Sequence, residues 1–177
     1  MPRKLKTIEI ERISVEEFQQ AEKTPLVVVL DNVRSMYNIG SVFRTADAFR
    51  IEEVLLCGIT ATPPSNEIHK TALGAEESVE WKYFNDTMDA VSYLKEKGYM
   101  LCSIEQCEGG VMLNEFQIEV GERYAVFMGN EVKGVQQCVI DECDKCIEIP
   151  QYGTKHSMNV SVTAGIVMWE FAKNRGE

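Results

Sequence analysis

Apolar positions along this chain fall in short unbroken runs rather than in alternation. Leu26–Leu30 (LVVVL), Glu53–Cys57 (EVLLC), Tyr99–Ile104 (YMLCSI) and Tyr124–Met128 (YAVFM) are rich in β-branched, aromatic and other apolar residues. Such runs mark strands buried on both faces. Cys146–Ile149 is a fifth strand, and Val79–Tyr83 fits a further short one. Helical signals lie between them. One helix begins after Asn38-Ile39-Gly40 and carries Arg44 and Asp47 within a turn of each other. A second follows the Thr- and Pro-rich loop Thr60–Ser65, near Glu67–Leu73. A third is capped by Asp86, runs through Lys97 and is closed by Gly98. Strands alternating with helices predict an α/β fold, a mostly parallel sheet with helices on both faces. Ahead of it, Ser14-Val15-Glu16-Glu17 is a capping box opening a helix to about Ala21, broken by Pro25. The expected division is an extension over residues 1–24 and one domain over 25–177.

The final stretch, Ile149–Phe171, organises the rest. Pro150 stops a strand, a turn passes through Gly153, and Lys155-His156-Ser157 leads to Asn159, a good helix N-cap. The helix behind it (Val160, Val162, Ala164, Ile166, Val167, Met168, Trp169, Phe171) is apolar on nearly every side, which predicts burial on both faces. Trp169 and Phe171 fit a core or an interface. In parallel sheets ligands lie beyond the carboxyl ends of the strands. Glu105, Gly129, Ile149 and the loop to Met158 all fall at such ends, so their spacing permits one shared pocket.

Composition narrows the classes. With 177 residues, 45% hydrophobic and 26% charged, the chain has enough material for one full-sized core. No apolar run approaches the roughly 20 residues of a membrane span, and the basic N-terminus lacks the apolar core of a secretory signal. A cytoplasmic protein with six reduced thiols (Cys57, Cys102, Cys107, Cys138, Cys143, Cys146) is therefore expected. Cys143-x-x-Cys146 has ligand-like spacing, but Cys146 enters a strand and the only histidines are His69 and His156, so no metal site is expected. The net charge of −10 opposes nucleic-acid binding unless charge is local. Arg34, Arg44, Arg50, Lys70, Lys133, Lys155 and His156 fall in or near the site loops, whereas acids gather at Glu9–Glu22, Glu76–Glu80 and Asp141–Asp144. Basic charge local to the site is therefore expected, with solvated faces of both signs as the alternative.

Three stretches share the grammar of strand, polar Gly-containing turn and helix: Asn38-Ile39-Gly40…Arg44, Gly129-Asn130-Glu131…Gly134, and Ile149-Pro150…Gly153…Ser157-Met158-Asn159-Val160-Ser161. In this order they resemble the three signatures of the SpoU/TrmH branch of the SPOUT RNA methyltransferases. Two positions depart from that pattern: Met158 stands for the usual Leu, and Gln151 for the usual Met after Ile-Pro.

The resemblance implies a deep trefoil knot in the C-terminal part, with S-adenosyl-L-methionine bound bent within it. It also implies methyl transfer to a ribose 2′-hydroxyl of RNA, transfer RNA favoured over ribosomal RNA, by a homodimer. The dimer would pack through the final helix and the first-motif helix, with Arg44 reaching the partner's cofactor. Glu105, Gly129, Gly134, Ile149 and Met158 would bind cofactor, with the two glycines allowing close backbone approach. Arg44, Asn38, Glu131, Ser157 and Asn159 would form the catalytic set. A guanidinium with a pKa above about 12 is a poor base. Arg44 is therefore expected to clamp phosphate and stabilise charge, with Glu131 or water taking the proton. Plainer roles exist for each: Arg44 paired with Asp47, Asn38 as a cap, Glu131 as a surface acid. The alternative function is a non-catalytic RNA- or nucleotide-binding module of the same fold.

Overall fold

The computed structural model describes residues 1–173. After a short 3-10 turn at Thr7–Glu9 and helix α1 (Val15–Gln20), the order is β1 (Thr24–Asp31), α2 (Met36–Ala48), β2 (Ile51–Cys57), α3 (Asn66–Ala72), α4 (Ala75–Ser78) and β3 (Trp81–Phe84). It continues with α5 (Thr87–Glu96), β4 (Met100–Ile104), β5 (Val111–Met112), β6 (Tyr124–Met128), α6 (Gln137–Ile140), β7 (Lys145–Glu148) and α7 (Val160–Ala172). The seven strands form one sheet in the order β3-β2-β1-β6-β4-β7-β5, and every pairing is parallel.

The unbroken apolar runs follow from this topology. Successive residues of β1 and β6 point to opposite faces, and both faces are covered. Val28, Leu30, Val126 and Met128 pack under α2, α3 and α7, with Ile39, Val42, Phe43, Ile68, Ala164, Val167 and Met168. Val27, Val29, Ala125 and Phe127 pack under α5 and α6, with Ala90, Val91, Leu94 and Val139. Each fully buried aliphatic side chain contributes about 1.5–3 kcal/mol, so the paired central strands anchor the domain. Gly40 lets α2 and α3 cross closely. A Cβ there would lie 2.1 Å from Thr71 Oγ1 and 2.2 Å from the Ile68 carbonyl oxygen.

Several expectations are corrected. Helix α2 starts at Met36, before Asn38, because Ser35 is the N-cap and its Oγ accepts from the Asn38 amide at 3.3 Å. Asn38 therefore projects from the first turn. Helix α7 is not buried all round: Val162, Ile166 and Trp169, spaced along one stripe, are 54%, 38% and 55% exposed. Only the opposite face meets the sheet. The thiols are not all free, since Cys107 and Cys146 are joined as a disulfide across 39 residues. The register that sets Cys146 beside Ser103 carries it to the turn just past β4, a proximity invisible in linear spacing. The last strand spans Lys145–Glu148, one residue earlier than expected at each end. Arg50 lies at the amino end of β2, opposite the carboxyl-end loops, where its carbonyl accepts from the Thr24 amide at 2.8 Å. Among the described residues no helix is long and apolar enough to cross a membrane, and no cluster of His, Cys, Asp or Glu fits a metal ion.

Candidate active site

The carboxyl ends of β6, β4 and β7 open onto a cavity of about 750 Å³. Its floor is apolar (Ile104, Met128, Val135, Ile140, Ile147) and its rim polar. Glu105, Gly129, Glu131, Gly134, Ile149, Ser157, Met158 and Asn159 all line it, so turns separated by up to 54 residues meet at one hollow. Of the ten expected site residues, Asn38 and Arg44 do not line the cavity. Asn38 is tied to it by hydrogen bonds, and Arg44 points to solvent from α2. Among the described residues Arg44 has no ion pair or hydrogen bond; Asp47, its expected partner, instead accepts from Ser78 Oγ at 2.6 Å.

The second motif is a clamp built from its own side chains. Asn130 Oδ1 accepts from the Val132 and Lys133 amides at 2.9 and 3.1 Å, closing the turn, while Asn130 Nδ2 donates to the Asn32 carbonyl at 2.7 Å. Glu131 then receives the entry of α2: its oxygens accept from the Arg34 amide at 3.0 Å, the Ser35 amide at 2.9 Å and Asn38 Nδ2 at 3.3 Å. Partial burial works to raise the Glu131 pKa. The donors from Arg34 and Ser35, the residue's own backbone and Asn38 outweigh it and hold the carboxyl below its ordinary range. The same carboxylate thereby fixes Asn38 at the entry of α2.

Glycine is required here for reasons internal to the turn. Gly134 has φ +69°, and a Cβ on it would fall 2.1 Å from Glu105 Oε2. On Gly129 a Cβ would lie 2.1–2.2 Å from the Gly134 carbonyl carbon and the Val135 nitrogen. Both line the cavity, but it is the packing of the turn on itself and on Glu105 that excludes a side chain. Glu105 accepts from the Val135 amide at 3.1 Å and from the Gln106 amide at 2.9 Å, and Gln106 Nε2 donates to the His156 carbonyl at 3.1 Å.

The third motif closes the set. Asn159 Oδ1 accepts from the Ser161 and Val162 amides at 2.9 and 3.3 Å, capping α7, while its Nδ2 donates to Asn38 Oδ1 at 3.1 Å. Gln106 and Asp31 are part of this assembly without being among the expected site residues. Asp31, fully buried at the end of β1, accepts from Thr87 Oγ1 at 2.7 Å, Gln136 Nε2 at 2.8 Å and the Gln136 amide at 3.0 Å. It fastens the segment leaving the second motif to the sheet. An acid ending an otherwise apolar run was its only signal.

An all-parallel α/β domain whose ligand cavity is walled by three strand-end turns is a cofactor- or nucleotide-binding architecture. The particular arrangement is a known one. The chain belongs to the SpoU rRNA Methylase family, whose model matches residues 25–169. It is 30% identical over 162 residues to the 23S rRNA (guanosine-2′-O-)-methyltransferase RlmB of Neisseria meningitidis serogroup B, covering 89% of this chain and 62% of that protein. The chain thus spans less than two thirds of that curated relative. Its fold is shared with an AdoMet-bound rRNA methyltransferase from Sinorhizobium meliloti (TM-score 0.80, 24% identity, 89% of this chain and 60% of that one). The A. aeolicus TrmH/SpoU tRNA modifying enzyme is also similar (TM-score 0.78, 24% identity, 91% and 80%).

Proposed function

We propose that this chain is an S-adenosyl-L-methionine-dependent RNA methyltransferase acting on a ribose 2′-hydroxyl. The observation that carries the reading is the joining of all three motifs at one cavity through the Glu131–Asn38–Asn159 hydrogen bonds. The cavity fits the cofactor in size and lining, with an apolar floor for a flat base and polar groups around its mouth. Backbone groups at Ile149 and Met158 would hold the adenine edge. Glu105 keeps lone pairs for a hydroxyl beyond its two amide donors. Bound there, S-adenosyl-L-methionine supplies an electrophilic methyl group on a sulfonium.

The protein's own part is positioning and charge. Its residues would hold the ribose 2′-hydroxyl in line with that methyl group, and the hydroxyl proton would pass to water. Arg44 clamps the RNA phosphate and stabilises negative charge developing on the 2′-oxygen. Ser157 orients the rim, and Lys133, Lys155 and His156 offset the acidic total where RNA approaches.

In this reading Arg44 acts on a partner's cavity in a C2 homodimer. Support comes from its position outside the cavity of its own chain, and from the apolar stripe Val162, Ile166 and Trp169 on α7, beside α2. We read residues 1–24 as an extension, residues 25–177 as the catalytic domain, and the protein as cytoplasmic. We also read the C-terminal part as a trefoil knot. This is supported by β7 lying between β4 and β5, strands joined directly by residues 105–110. Transfer RNA is our favoured substrate, on the form of the first motif; the Neisseria relative, by its name, modifies guanosine in 23S rRNA.

The test uses a property of the product: a 2′-O-methylated nucleotide resists alkaline cleavage at its 3′ phosphate. Bulk transfer and ribosomal RNA incubated with the protein and methyl-labelled cofactor should yield label in alkali-resistant dinucleotides, from transfer RNA above all. Label in alkali-sensitive mononucleotides would contradict ribose chemistry. RNA binding without transfer would favour the non-catalytic alternative.

A further inference from the structure

Cys107, on the loop between β4 and β5, is bonded to Cys146 on β7, with the two Cα atoms 6.4 Å apart. Both residues are half-buried, so small thiols can reach them. Of the other four, Cys57 and Cys102 are buried, which pushes their thiols up to about 12, while Cys143 is half-buried and Cys138 is exposed.

The location of the bond connects it to the cavity. Glu105 and Gln106, immediately before Cys107, form one wall and carry its links to the other two. Glu105 receives the Val135 amide from the second motif, and Gln106 donates to the His156 carbonyl in the third. Glu148, Ile149 and Gln151, just past Cys146, form the next wall. The disulfide therefore ties together the roots of two cavity walls. Without it, the segment from Glu105 is held by hydrogen bonds: the Glu105 amide to the Ile147 carbonyl at 3.1 Å, Gln106 Nε2 to the His156 carbonyl at 3.1 Å, and a turn from the Gly110 amide to the Cys107 carbonyl at 3.1 Å.

We propose that Cys107 and Cys146 form a reversible thiol–disulfide site whose state sets the affinity of the cavity for its cofactor. The inference rests on the cavity being an S-adenosyl-L-methionine site. On oxidation two S–H bonds break and one S–S bond forms. Two electrons and two protons pass to a small-molecule disulfide such as oxidised glutathione, which leaves as two thiols through a mixed-disulfide step. A dithiol reverses it. In a compartment kept reducing by glutathione such pairs are ordinarily open and close transiently. Closed, the bond holds Glu105 and Gln106 in place before the ligand arrives. Open, their ordering is added to the cost of binding.

The test is calorimetric titration of the full chain with S-adenosyl-L-methionine after equilibration with oxidised glutathione or with dithiothreitol. Peptide mapping after thiol alkylation verifies the Cys107–Cys146 link, and amide exchange over residues 105–110 is followed in both states. The linked form should bind roughly three- to tenfold more tightly and exchange more slowly over that segment. The double variant Cys107→Ser/Cys146→Ser should match the reduced protein in either medium. Equal affinity in the two states of the wild type, or failure of the link to form with oxidised glutathione, overturns the redox inference alone. Absence of binding in both states overturns the cofactor reading and this inference with it.

Discussion

Asn159 Nδ2 donates to Asn38 Oδ1 at 3.1 Å, joining residues 121 apart in the chain. The same Asn159 caps α7 with its other atom, so one side chain both starts the last helix and holds the first motif. Substitution separates these duties. Asn159→Ala loses both and should destabilise the fold by about 1 kcal/mol. Asn159→Asp keeps an acceptor for the cap but loses the donor to Asn38. It should unfold within about 0.5 kcal/mol of wild type, while methyl transfer falls roughly 10–100-fold through misplacement. Denaturant titration and an initial-rate assay on the two variants check this.

Glu131 should give the fold a pH dependence of definite sign. Folding lowers its pKa, so its contribution is present above the unfolded value of about 4.3 and is lost as pH falls through the lower folded value. Thermal midpoints of wild type and Glu131→Gln should differ at neutral pH and converge in acid below that range. A gap that stays constant down to the acid limit would show that the carboxylate charge is not what the Arg34 and Ser35 amides and Asn38 recognise.

Gly40 is predicted to be irreplaceable for packing rather than for chemistry. In Gly40→Ala the new methyl meets Thr71 Oγ1 and the Ile68 carbonyl, forcing α2 and α3 apart at a cost of about 1–3 kcal/mol. Chemical denaturation should register the loss. Cofactor affinity, measured on the folded fraction, should change little.

These residues also mark how far the sequence could be read. Burial on both faces leaves a continuous apolar run, so β1, β2, β4 and β6 were visible, and Asn159 and Asp86 announced their helices through cap chemistry. The two-residue β5 and the four-residue α4 and α6 are shorter than any period that would reveal them. The third-motif helix misled for a physical reason: a stripe left exposed at Val162, Ile166 and Trp169 has the same composition as a buried one. The cavity lining was legible because its turns end strands. Asp31, Gln106 and the Cys107–Cys146 bond were not, because each depends on which strands become neighbours. Gly129 and Gly134 stand out in the sequence as turn glycines, but the clashes of a side chain there with neighbouring backbone and Glu105 depend on the folded turn.

The exposed stripe on α7 should be the contact between two copies. Trp169→Glu places a charge on it and should shift the protein from dimer to monomer in sedimentation equilibrium. Transfer activity should fall with it, since Arg44 would lose the partner cavity it serves. Wild type sedimenting as a monomer at the concentrations of the assay would contradict the dimer.

If the cavity at the ends of β6, β4 and β7 is a methyl-donor site, direct titration with S-adenosyl-L-methionine shows it most plainly. The prediction is saturable binding at one site per chain, nearly unchanged in Arg44→Ala, which leaves the cavity lining intact, but weakened in Gly134→Val, whose side chain is driven into Glu105. No binding to the folded protein, or binding indifferent to Gly134→Val, would contradict it.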